Sequence, residues 1–245
     1  MRVSKPRNSA RGPDTMASGP NSTASERPRA AMILAAGRGE RMRPLTDTTP
    51  KPLLRVHGKP LIERHVERLA RAGIPRIVIN LAWLGGQIRD YLGDGARYGA
   101  AISYSEETPR ALDTGGGIFR ALPQLSPGPF AVVNGDIYTD FPFETLAIET
   151  QFDSHLVLVP NPHYLRGDFG LQGGKALASA AELFTFGSIA LYRPAFFADA
   201  KDGVFPIMPL WQRSMAAGRC SAQLCSGPWE DVGTPERLAA LNAAS

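Results

Sequence analysis

The sequence predicts an α/β fold, with a mostly parallel sheet covered by helices on both faces. Two observations carry this. Short apolar runs alternate at least five times with helix-length segments of three-and-four periodicity, and the runs are apolar throughout rather than every second residue, as in strands buried on both sides. At 245 residues the chain is long enough for one large domain with a substantial core.

Residues 1–29 stand apart. Their large apolar side chains are Met1, Val3 and Met16, set among Pro, Gly and Ser residues. That is too little apolar surface to offset the entropy of ordering, so a disordered basic tail is expected here, followed by a single domain over 30–245. The domain opens with a buried strand at Ala31–Ala35. A helix follows over Pro60–Ala72: Leu61, Ile62, His65, Val66, Leu69 and Ala70 share one face, Pro60 suits the first turn, and Gly73 suits the cap. Arg76–Asn80 reads as a second strand, Gly86–Leu92 as a short helix, Ala101–Tyr104 as a third strand, Ile118–Leu122 as part of a helix, and Phe130–Asn134 as a fourth strand. After a strand at His155–Val159, the Gly-rich stretch to Ala181 reads as irregular. Leu183–Tyr192 and Ser221–Leu224 then read as strands flanking a helix from Pro206 to Ala217. No linker composition separates this later half, which reads as a substrate-side extension of the same sheet.

Charge and cysteine use exclude several functions. The chain has 27 Lys+Arg against 23 Asp+Glu. Residues 1–29 contain six basic and two acidic residues, so the whole net charge of +4 belongs to the tail and the body is balanced. A balanced body has no basic excess for gripping a nucleic-acid backbone. Cys220 and Cys225 fit neither a CxxC redox pair nor a zinc knuckle. No apolar run approaches the roughly 18 residues that span a bilayer, and residues 1–29 lack the apolar segment of a secretory signal, so a cytoplasmic protein without a membrane partner is expected. His57, His65, His155 and His163 show no metal-binding spacing, and Trp83 is expected in the core, with the pocket rim as its alternative.

Chemistry concentrates after the first strand. Leu34-Ala35-Ala36-Gly37-Arg38-Gly39-Glu40-Arg41-Met42-Arg43-Pro44-Leu45-Thr46 places glycines where a backbone can approach a phosphate and its N–H groups can cradle an anion. It is neither a dinucleotide fingerprint, whose third glycine would fall on Met42, nor a P-loop. Arg38, Arg41, Arg43 and Lys51 add four cations within about fourteen residues, a suitable set for a triphosphate.

That block, followed by Thr49-Pro50-Lys51-Pro52-Leu53, resembles the signature of the sugar-1-phosphate nucleotidyltransferases. The resemblance continues through Val78-Ile79-Asn80, Asp113-Thr114-Gly115-Gly116-Gly117-Ile118, Asn134-Gly135-Asp136 and Trp229-Glu230-Asp231-Val232-Gly233-Thr234-Pro235, and spans residues 31–241. It implies a Rossmann-like three-layer sandwich on a mostly parallel mixed sheet, with an N-terminal nucleotide-binding part and a C-terminal sugar-binding part. The implied reaction is attack of a sugar 1-phosphate on the α-phosphorus of a nucleoside triphosphate, with pyrophosphate leaving. By the same resemblance, Lys51 would contact the α-phosphate and the incoming phosphate, and Arg41 would hold the β- and γ-phosphates. Ala36, Gly37, Gly39 and Glu40 would lie beneath the triphosphate. Asn80 and the glycines around Gly116 would form the base pocket, and Asn134 and Asp168 would contact the sugar, although Asp168 equally suits a turn cap. Asp136 and Asp231 would hold Mg²⁺, an ion that favours carboxylate, phosphate and water oxygens. Asp113 and Glu107 are open between ribose contact and pocket wall.

Within the family, the runs AWLGGQIRDYLGDG, TGGGIFRALP and VNGDIYTD resemble the uridylyltransferases of cell-wall peptidoglycan recycling, which implies UTP as donor. Relatives using mannose 1-phosphate, glucose 1-phosphate or phosphocholine keep the same reaction with other substrates. A non-catalytic nucleotide-sugar sensor would be expected to have lost Lys51, Asp136 or Asp231, and all three are present. A monomer or small homo-oligomer acting on small molecules is expected, with no added acyltransferase domain after the WEDVGTPERL segment.

Overall fold

A computed structural model describes Met1 and residues 24–125, 127–161 and 166–244. In chain order the strands are β1 (Ser25–Glu26), β2 (Ala30–Leu34), β3 (Arg55–Val56), β4 (Lys59–Pro60), β5 (Arg76–Leu81), β6 (Ala101–Glu106), β7 (Phe130–Asn134), β8 (Ile137–Thr139), β9 (Ile148–Glu149), β10 (Ser154–Val159), β11 (Gly170–Gln172), β12 (Lys175–Leu177), β13 (Thr185–Tyr192), β14 (Cys220–Leu224) and β15 (Trp229–Asp231). The α-helices are α1 (Leu61–Arg71), α2 (Gly85–Leu92), α3 (Asp113–Leu125), α4 (Met208–Ala216) and α5 (Pro235–Ala243).

Nine strands form one mixed sheet in the order β11-β12-β14-β10-β13-β7-β2-β5-β6. The neighbours β7-β2-β5-β6 are all parallel, as the unbroken apolar runs predict. On the other side parallel pairing is confined to β10 with β14, so half of the sheet's eight pairings are antiparallel.

Strand alternation splits the core into two layers. Ala31, Ile33, Ile77, Ile79, Ala131 and Val133 face α1 through Ile62, Val66 and Leu69. Met32, Val78 and Val132 face the opposite way, onto Ile118 and Leu125 of α3 and Trp211 and Met215 of α4. Helix α1 ends as its sequence predicts: Gly73 adopts φ +80, and the Ile74 N–H returns to the Leu69 carbonyl at 3.0 Å. Among the described residues no helix is long and apolar enough to cross a membrane.

Two expectations change. The stretch expected to be irregular contains the β11–β12 hairpin, whose register pairs Gln172 with Lys175. Its two-residue turn is Gly173-Gly174, at φ +55 and +74, so the glycines that suggested irregular chain supply the turn. At the other end, order begins before residue 30. Strand β1 pairs antiparallel with β9, and Glu26 forms a 3.1 Å ion pair with Arg193. The part of the expected disordered tail at residues 2–23, and His163, lie outside the described residues.

Candidate active site

Strands β2, β5 and β7 end together, and the loops beyond their carboxyl ends line two adjoining cavities, of about 290 and 270 Å³, that share Leu34, Gly37 and Asp136. This is where an open α/β sheet binds ligands.

The first cavity is built by the loop after β2. Gly39 sits at φ +68, and a Cβ there would come within 3.1 Å of Thr46 Cγ2 and 3.2 Å of Lys51 Cβ. Only glycine lets the loop close over Lys51, and the Thr46 hydroxyl secures it by donating to the Gly39 carbonyl at 2.8 Å. Gly37, Gly39, Glu40, Arg41 and Lys51 all line this cavity. Lys51 is buried, and its Nζ lies 2.5 Å from Asp136 Oδ2 across the floor.

Of the four cations expected near the phosphates, two are engaged elsewhere. Arg38 donates to Asp47 at 2.9 Å and to the Thr46 carbonyl at 2.8 Å, while Arg43 pairs with the same Asp47 at 3.2 Å. Arg38 also stacks on Trp83, 3.8 Å from the ring centroid. Trp83 is therefore not a core residue: it is 37% exposed, and its indole N–H donates to the Thr46 carbonyl. Arg41 and Lys51 remain as the cations facing the cavity.

Asp136 and Asp231 are far apart in sequence but are joined by a short ladder. Strand β15 pairs antiparallel with β8, with Asp231 opposite Ile137, and the Val232 N–H donates to the Asp136 carbonyl at 3.2 Å. The two carboxylates therefore flank one strand pair. Each also has a cationic neighbour: Lys51 for Asp136, and Arg237 for Asp231 at 3.3 Å. Arg237 lies in the first turn of α5, whose N-cap Thr234 accepts from its backbone N–H. His65 of α1, fully buried, donates from Nε2 to the carbonyl of Ile137 in β8 at 3.0 Å. Burial, reinforced by the nearby Arg68 and Arg64 charges, pushes its pKa down to about 4 against the opposing pull of that hydrogen bond.

The second cavity is lined by Ala36, Asn80, Glu107, Asp113, Thr114 and Asn134, among others. Two residues expected to meet the base are tied into the fold. Asn80 accepts from the Ala35 N–H at 2.7 Å and donates to Glu107 at 2.6 Å, while the other Glu107 oxygen accepts from the Leu112 N–H at 2.7 Å. Asn80 is therefore a buried brace between β2 and the start of α3. Gly116 lies inside α3, its N–H bonded to the Phe205 carbonyl, and a Cβ on it would fall 2.1 Å from the Gly203 carbonyl oxygen. Close packing against that loop, rather than room for a ring, explains this glycine. Gly117 is similarly confined, since a Cβ on it would fall 2.4 Å from a Glu107 carboxylate oxygen. The residues that do reach the cavity from this helix are Asp113, at φ +61, and Thr114, whose N–H the Asp113 carboxylate accepts at 2.6 Å. The sequence marked Thr114 only as part of the DTGGG run.

On the sugar side, Asn134 lines the second cavity and donates from Nδ2 to Ser188 Oγ at 3.2 Å. Asp168 lines neither cavity. Its carboxylate accepts from the Phe186 N–H at 2.8 Å, which is the capping alternative. His155 is held by Ser221 and Gln223 inside the sheet, away from both cavities.

The nucleotidyl transferase family matches residues 30–171. An N-acetylmuramate α-1-phosphate uridylyltransferase of Neisseria meningitidis serogroup B is 50% identical over 219 residues, covering 85% of this chain and 94% of the relative. A Caulobacter vibrioides protein of the same name is 35% identical over 237 residues, covering 89% and 98%. Among solved structures, a Bacillus anthracis protein assigned as a glucose-1-phosphate thymidylyltransferase, in complex with a sucrose, superposes with a TM-score of 0.75 at 23% identity, covering 87% and 94%. HddC from Yersinia pseudotuberculosis complexed with GMP-PN gives 0.70 at 21%, covering 88% and 98%. Matched by that family model over more than half of its length and by these relatives over most of theirs, the chain belongs to the nucleotidyl transferase family.

Proposed function

We propose that the protein transfers UMP from UTP to N-acetylmuramate α-1-phosphate, releasing pyrophosphate and forming the UDP-sugar, in the cytoplasm and in the service of peptidoglycan recycling. The observation that carries the reaction is the buried Lys51 ammonium 2.5 Å from Asp136 on the floor of a glycine-lined cavity. The likeness to two relatives of that name over nearly their whole lengths supports the choice of substrates.

A phosphate oxygen of the acceptor attacks the α-phosphorus, the bond to the bridging oxygen breaks, and pyrophosphate departs with the electron pair. Two anions must approach each other, so the protein's task is positioning and charge neutralisation. Lys51 sits where the two phosphates would meet, held by Asp136 below and fixed between Pro50 and Pro52. Arg41 lies on the cavity wall and would take the β- and γ-phosphates, with the backbone N–H groups of the Gly37–Glu40 turn beneath.

Asp136, on the wall of the first cavity, and Asp231, at the end of the strand that pairs with β8, have the donor chemistry for Mg²⁺, which uses one or two carboxylates with phosphates and water. When bound, the ion would neutralise negative charge shared by the phosphates.

Pyrophosphate release with Mg²⁺, screened with UTP, CTP, GTP, dTTP and ATP against N-acetylmuramate, N-acetylglucosamine, glucose and mannose 1-phosphates, tests this reading. Preference for UTP with N-acetylmuramate 1-phosphate is expected. Preference for another pair discards the substrates, and silence across the whole panel discards the reaction.

A further inference from the structure

Strand β13 contains an irregularity that the transfer reaction has not yet accounted for. Its register against β10 jumps from Val157–Ile189 to Leu158–Phe186, which loops Gly187 and Ser188 out of the ladder. Ser188 adopts φ +59, a left-handed conformation that strains a serine and suits a glycine. The bulge is fixed from two sides. Trp229 Nε1, on the strand that carries Asp231, donates to the Gly187 carbonyl at 2.8 Å, and the Asp168 carboxylate holds the Phe186 N–H. Gly187 itself is confined, since a Cβ would come 3.0 Å from the Val157 carbonyl oxygen.

So anchored, the bulge delivers the Ser188 hydroxyl to Asn134. That oxygen accepts from Asn134 Nδ2 at 3.2 Å, and Asn134 lines the second cavity two residues before Asp136. A carboxamide has a donor end and an acceptor end, and a partner on one end decides which is offered on the other. A glycine at position 188 would relieve the strain but leave the carboxamide without this partner. Strain maintained at a cleft by a surrounding frame that over-determines it marks a functional device.

We infer that Ser188 is a positioning residue of the acceptor subsite: by accepting from Nδ2 it holds the Asn134 carboxamide with Oδ1 presented to a hydroxyl or amide N–H of the sugar 1-phosphate. The inference rests on the transfer reaction proposed above. It also gives the sheet's antiparallel half a direct part in acceptor recognition, because the bulge exists only where β13 runs between β7 and β10.

The test is steady-state kinetics of Ser188→Gly and Ser188→Ala, varying the acceptor and UTP separately, with each change repeated on an Asn134→Ala background and each protein melted. Losing one neutral hydrogen bond predicts an acceptor KM raised roughly three- to tenfold in both variants. The UTP KM should stay within about twofold, the Gly variant should melt no lower than wild type, and neither change should add to Asn134→Ala. An unchanged acceptor KM, equal rises in both KM values, a shift in the Gly variant alone, or additive effects with Asn134→Ala would each overturn the assignment. Failure of the underlying reaction shows instead in the wild-type acceptor panel, before any variant is made.

Discussion

Acidification should loosen the start of β8 beside Asp136, and His65 supplies the mechanism. The buried imidazole donates from Nε2 to the carbonyl of Ile137, which follows Asp136 and pairs with Asp231, while its Nδ1 has no hydrogen-bond partner among the described residues. Its folded pKa is held down to about 4, against 6.5 for an unperturbed histidine. Between these values the unfolded chain binds the proton and the folded chain does not, so stability is full above pH 6.5 and falls as pH drops toward 4. The shift amounts to about 3 kcal/mol over the whole window, with about 2 kcal/mol already lost at pH 5. Urea unfolding of wild type and His65→Gln across this range measures it as a difference, which removes contributions common to both, including His155, whose pKa burial also lowers. Glutamine keeps a donor for Ile137 but cannot titrate. If the two proteins lose stability in parallel from pH 7 to pH 5, His65 is not the acid-sensitive group and the reasoning fails.

Three further outcomes follow from the same structure. Gly116→Ala should destabilise the fold by about 2 kcal/mol, because its Cβ would lie 2.1 Å from the Gly203 carbonyl and the chain must shift to admit it; an unchanged melting temperature would reopen the base-pocket role for this glycine. Trp83→Ala should cost under about 1 kcal/mol and leave kcat within about twofold, since neither Trp83 nor the stacked Arg38 lines the phosphate cavity; a large fall in kcat would return Arg38 to the triphosphate. Asp231→Asn should weaken Mg²⁺ binding, read by calorimetry on the free protein, with the fold intact by circular dichroism, and unchanged Mg²⁺ affinity would remove Asp231 from the site.

Much of the parallel half was legible because its strands are buried on both faces and read as unbroken apolar runs: Arg76–Asn80 and Phe130–Asn134 appear in the structure as β5 and β7 almost unaltered. The antiparallel half was harder to see. Strands β11 and β12 have three residues each around a glycine pair, too short to show a period, and β1 has two polar residues fixed by a partner more than a hundred residues away. At the site, Lys51 and the glycine loop are local in sequence and could be read from it. The nearness of Asp136 and Asp231 along the backbone depends on a three-residue ladder between distant segments, so only the family resemblance indicated it. The contacts that Asn80 makes with Glu107, and the close packing of Gly116 on the Gly203 loop, could not be read from the sequence, because spacing along the chain does not record them. Ser188 gave no sequence signal, since its importance lies in a backbone conformation.

The most direct test of the central claim follows product formation from UTP, N-acetylmuramate 1-phosphate and Mg²⁺ by phosphorus NMR, comparing wild type with Lys51→Ala. Removing the buried ammonium leaves Asp136 without its partner and the approaching phosphates without their cation, so turnover should fall by roughly a hundredfold or more while circular dichroism stays native. A Lys51→Ala protein that forms the UDP-sugar at a near-normal rate would contradict the account.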